Sequence, residues 1–116
     1  MIITRVYSDS KGESHFKDIQ IELKFGGEIG RLSTLYPVEN IIFRENEPNY
    51  DYDWHTAPQK QYIILLDGEI ELEVSDGEKR IFKSGDVILV EDIEGKGHRT
   101  RSITDKKRRS IFVTKI

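Results

Sequence analysis

The chain has no cysteine and three histidines, so any proton transfer, ligand capture or metal ligation falls to imidazoles, carboxylates and side-chain amides. An imidazole titrates near neutral pH, and two of them held together could exchange a proton with a bound molecule. His55 closes the run Tyr50-Asp51-Tyr52-Asp53-Trp54-His55, where strand alternation puts the three aromatic rings on one face. Tyr52 and Trp54 are therefore candidates to stack on a ligand, with plain core packing as the alternative. Guanidinium forks match carboxylates and phosphates, which makes Arg44 before this run, and Arg99 and Arg101 beside His98, candidates for an anionic ligand group. His15, in the polar stretch Glu13-Ser14-His15, reads as an exposed histidine without a role. The basic run Lys106 to Arg109 reads as the solvated turn of a hairpin rather than an anion site. No Gly-x-Ser-x-Gly elbow and no phosphate loop occurs.

The elements that must position these residues are strands. In Glu69 to Val74 carboxylates and aliphatics alternate at period two, giving one wet and one buried face. Ser75-Asp76-Gly77-Glu78 supplies tight-turn chemistry, and Lys79 to Lys83 returns as the second arm of a hairpin. After Ser84-Gly85-Asp86, the unbroken apolar run Val87 to Val90 reads as a central strand. Asp18 to Phe25, Val38 to Arg44, Asp51 to His55, Gln61 to Leu66, Thr100 to Thr104 and Arg109 to Ile116 are further extended segments between Gly, Pro, Asn and Asp clusters. Gly26 to Leu35 reads as loop with a short strand at its end, because three glycines and Pro37 oppose a helix. Eight or more short strands without a helix point to an all-β sandwich or barrel, one domain over residues 1–116.

Within this pattern, Trp54 to Gly68 resembles the first motif of the cupin superfamily, and Phe82 to Val90 resembles the start of the second. His55 stands at the first histidine of the motif, Ala57 at the second, Gln61 at the glutamate and Gly68 at the closing glycine. Asn49 takes the place of the glycine six residues before His55. The second motif ends at a histidine, here His98, two residues beyond the usual spacing, with Glu91 and Ile93 at the Pro and Gly places. The resemblance covers Trp54 to His98 and implies a small jelly-roll (double-stranded β-helix) barrel with its site on the inner face.

That resemblance implies a divalent metal, such as zinc, nickel, iron or manganese, held by His55, Gln61 and His98. The departures at Ala57 and Gln61 point the other way. Two imidazoles and a neutral amide cancel none of a cation's charge, and the same residues could line a metal-free polar pocket. Three functions remain open: an enzyme in which His55 and His98 are catalytic, a binding protein that holds a metabolite without turnover, and a dimerisation module. Small cupins commonly pair through an N-terminal strand, and the amphipathic Met1 to Tyr7 segment suits that role, so a homodimer is expected.

Composition narrows the partners. A formal charge of -3 offers no general attraction to nucleic acid or to anionic lipid. The longest apolar run, Tyr62 to Leu66, is far short of the ~20 residues of a membrane-spanning helix. Met1 to Tyr7 lacks the apolar core of a secretory signal, and a cytoplasmic protein is expected.

Overall fold

The computed structural model describes residues 1–116 and contains twelve strands and one short 3₁₀ turn, Gly27–Ile29. The strands are β1 (Ile2–Ser8), β2 (Ser14–Gln20), β3 (Lys24–Phe25), β4 (Arg31–Leu32), β5 (Val38–Asn46), β6 (Asp51–His55), β7 (Gln61–Leu65), β8 (Glu69–Val74), β9 (Lys79–Lys83), β10 (Val87–Val90), β11 (His98–Ser102) and β12 (Arg108–Lys115). Strands β5 to β12 form two four-stranded layers in the orders β10-β7-β12-β5 and β6-β11-β8-β9. Each layer interleaves early and late strands, the two Greek keys of a jelly roll. β1 and β2 extend the first layer beyond β10, with β1 parallel to β10 and antiparallel to β2.

Alternation works as the sequence suggests in the β8–β9 hairpin. Ile70, Leu72 and Val74 are buried while Glu69, Glu71 and Glu73 face outward. They join Val6, Phe16, Leu65, Phe82, Ile88 and Val90 between the layers, where burying each large aliphatic side chain contributes about 1.5–3 kcal/mol.

Some boundaries differ from the expectation. The second strand begins at Ser14 rather than Asp18 and stops at Gln20. β11 starts two residues earlier than Thr100, at His98. β1 lies inside the sheet with both edges hydrogen-bonded, so it is not available to add to a partner's sheet; the free edges of the two layers belong to β2, β5, β6 and β9. No helix is long and apolar enough to cross a membrane.

Candidate functional site

His55 is the last residue of β6 and His98 the first of β11, and they are direct cross-strand partners. Their ring centroids lie 4.4 Å apart at an interplanar angle of 61°. This closeness depends on Gly97, which adopts φ +74° and lies against the His55 carbonyl with no room for a side chain. Gln61, the first residue of β7, faces the same space from the opposite layer and is only 3% exposed. The three residues singled out in the sequence thus converge on one cavity of 430 Å³.

Each imidazole is oriented through one nitrogen. His55 Nδ1 lies 2.8 Å from the Asp53 carbonyl, which can only accept, so this nitrogen carries the proton and Nε2 carries the lone pair. His98, 4% exposed, donates from Nδ1 to Asp92 Oδ2 at 2.6 Å. Asp92 is fully buried and anchors the 56–58 segment by accepting the Ala57 N–H at its backbone carbonyl. Burial pushes the His55 imidazole below the ordinary histidine value, opposed by the Asp53 carbonyl and reinforced by neighbouring His98.

The aromatic face departs from simple alternation. Between the pairs His98–His55 and Thr100–Tyr52, β6 carries one residue more than β11, a β-bulge at Asp53–Trp54. The extra residue brings Tyr52 and His55 to the same face, with ring centroids 3.9 Å apart, and removes Trp54 from the lining. Trp54 is therefore not a ligand-stacking residue of this cavity, whereas Tyr50 and Tyr52 do line it. Asn49 takes φ +65° at the position where the motif has glycine, a conformation asparagine tolerates.

Of the candidate arginines, Arg44 lines the cavity. Arg101 does not. On β11 the buried positions are His98 and Thr100, so Arg99 and Arg101 project from the other face, where Arg101 pairs with Glu71 at 3.2 Å and Arg99 with Asp51 at 3.6 Å. The basic run also differs from the expected solvated turn. Lys106 and Lys107 are exposed, but Arg108 opens β12 and is 1% exposed. It occupies the inward face followed by Ser110 and Thr114. Continuing the β12 alternation one residue upstream would have found it. Asp92 left no such signal, because its loop has no period.

His15 is likewise not idle. Its Nε2 meets Asp9 Oδ2 and its Nδ1 meets Asp76 Oδ2, both at 2.8 Å, tying the β1–β2 turn to the β8–β9 turn. These carboxylates raise its pKa.

The donor set does not fit a resident divalent ion. Ala57 supplies no imidazole, Gln61 supplies no charge, and the guanidiniums of Arg44 and Arg108 share the same cavity. No group of three His, Cys, Asp or Glu side chains able to hold a metal occurs in the chain. A wider depression of 700 Å³ lies on the outer face of the six-stranded sheet, beside Ile3, Tyr36, Tyr62 and Leu89. Its half-buried carboxylate, Glu91, is already paired with Arg5 and Lys115, leaving no free chemical group comparable to the imidazole pair.

Comparison with known proteins agrees with this architecture. The family profile described as Cupin domain matches residues 44–114, from Arg44 in β5 to Thr114 in β12. Oryzines biosynthesis cluster protein J of Aspergillus oryzae is 42% identical over 49 residues, covering 42% of this chain and 27% of that protein. The uncharacterized protein YdbB of Bacillus subtilis is 38% identical over 53 residues, 45% of either chain. The matched segments thus span less than half the length of these curated relatives. A Cupin 2 conserved barrel domain protein from Salinispora arenicola superposes with a TM-score of 0.54 at 21% identity, over 84% of this chain and 75% of its own.

Proposed function

This chain belongs to the cupin family, and we propose that it is a small-molecule-binding member whose cavity works through the His55–His98 pair without a resident metal. The observation that carries this reading is the commitment of both Nδ1 atoms to oxygens, which leaves both Nε2 lone pairs for a ligand. His55, kept neutral by burial, accepts a hydrogen bond. His98 acts as the base, and the Asp92 carboxylate stabilises the imidazolium formed when a ligand proton moves to it. Gln61 orients the ligand from the facing layer, its Oε1 buried with no partner in the protein, and Tyr52 packs against the His55 imidazole.

Two measurements test this together. After incubation with zinc, nickel, iron(II) or manganese and desalting, elemental analysis should find no more metal in the native chain than in a His55→Ala, His98→Ala double variant. Stoichiometric metal kept by the native chain alone overturns the metal-free reading. A fragment screen read through the His55 and His98 ring resonances should yield ligands that the double variant does not bind; no perturbation by any fragment overturns the pocket itself.

The partner in this reading is a second copy. The outer face of the large sheet carries Ile41, Phe43, Ile111 and Val113, with Phe43 76% exposed, where a solvent-facing layer would be polar. A dimer through this face, in place of the N-terminal strand, is tested by light scattering of Phe43→Lys. Native mass equal to one chain overturns it.

A further inference from the structure

Eight arginines occur in the chain, and the exterior ones have partners. Arg5, Arg80, Arg99, Arg101 and Arg109 each pair with a carboxylate, and Arg31 donates to the Leu23 carbonyl. Arg44 and Arg108 have no acidic partner, and both line the cavity. They sit diagonally across the β5–β12 ladder, where Arg108 faces Asn46 and Ser110 faces Arg44. Their guanidinium carbons lie 5.0 Å and 5.3 Å from the centroid of the same ring, Tyr50.

Arg108 is the unusual member. Its Nη2 is buried with no hydrogen-bond partner in the protein, and its Nε makes only a long 3.4 Å bond to Ser102 Oγ. Gly68 is required beside it, since a Cβ there would stand 2.8 Å from the Arg108 Cβ. A buried cation normally finds a counter-charge, and the chain supplies none although acidic side chains outnumber basic ones. Burial and neighbouring Arg44 lower the Arg108 pKa to about 10, which still leaves it charged at neutral pH.

Resting on the pocket reading above, we infer that Arg108 and Arg44 form the recognition site for the carboxylate of a small organic acid. The planar guanidinium of Arg108 suits a bidentate carboxylate, and Arg44 closes over it from the edge strand. The rest of the ligand lies along Ile63, Ile70 and Leu72 toward the imidazoles. The orphaned Oε1 of Gln61 calls for a donor on the ligand, so a hydroxyl-bearing acid fits better than a simple fatty acid.

The experiment uses lactate, malate and mandelate, each against its neutral amide, titrated into the native chain at millimolar concentration while the His55 and His98 ring resonances are followed. At least one acid should bind about 10- to 100-fold more tightly than its amide, the loss expected for charge-assisted hydrogen bonds. Arg44→Gln and Arg108→Gln should each remove that preference, while Arg101→Gln, outside the cavity, keeps it. Should Arg108→Gln fail to fold, Arg44→Gln, on a half-buried position of an edge strand, carries the test alone. Equal binding of acid and amide, or an acid preference that survives Arg44→Gln, overturns the carboxylate site while leaving the pocket reading intact. Absence of response to acids and amides alike overturns the carboxylate site, and the fragment screen then decides the pocket separately.

Discussion

The backbone of Gly97 lies so close to the carbonyl of His55 that even a methyl group on residue 97 would overlap it. This contact, together with the left-handed φ of Gly97, sets how near β11 approaches β6 just before the two histidines meet.

Gly97→Ala should therefore damage both fold and site. Overpacking and a left-handed alanine together cost about 2–5 kcal/mol, and His55 should separate from His98. Urea denaturation reads the first effect and ring-to-ring nuclear Overhauser contacts the second. A variant as stable as the native chain with the imidazoles still in contact would refute the role given to Gly97.

Asp92 is expected to act through His98. Asp92→Ala leaves a buried imidazole N–H without its acceptor, at a cost of about 1–3 kcal/mol. The nitrogen shifts of His98 should then report a mixture of tautomers in place of the Nδ1–H form. Asp92→Asn, which retains an acceptor oxygen, should restore the tautomer but not the negative charge. Unchanged nitrogen shifts in the alanine variant would show that Asp92 does not orient the ring.

Two histidines should bend the pH–stability profile in opposite directions about the ordinary value of 6.5. The folded pKa of His15 is raised by Asp9 and Asp76, so its contribution is complete below 6.5 and is lost as pH rises through the raised value. That of His55 is lowered, chiefly by burial, so its contribution is complete above 6.5 and is lost as pH falls toward the lowered value. Denaturant midpoints across pH 5 to 8 should show His15→Gln removing the decline on the alkaline side and His55→Gln the decline on the acid side. Coincident profiles for the two variants would contradict the assignment.

The parts of this molecule that were legible in the sequence are those governed by local rules. The β8–β9 hairpin follows from alternation and an Asp-Gly turn, and the motif spacing pointed to His55, Gln61 and His98, which line one cavity despite the lengthened loop before His98. What escaped depended on contacts between distant segments. The β6 bulge is defined only against β11, so strict alternation placed Trp54 beside Tyr52, where His55 belongs. Arg108 hid inside a basic run whose other members are exposed, and Arg101 sat on the wrong parity of β11. His15 gained its role only when two turns far apart along the chain met around it.

The surplus residue at Asp53–Trp54 makes this stretch more tolerant of shortening than of sliding. Excising one of the two would straighten β6 and still deliver His55 opposite His98, visible as unaltered contacts between the two rings. Keeping both while flattening the strand would instead move the pairing along by one step, trading an imidazole inside the barrel for an indole. What heredity must protect here is a count of residues between two points as much as their identity.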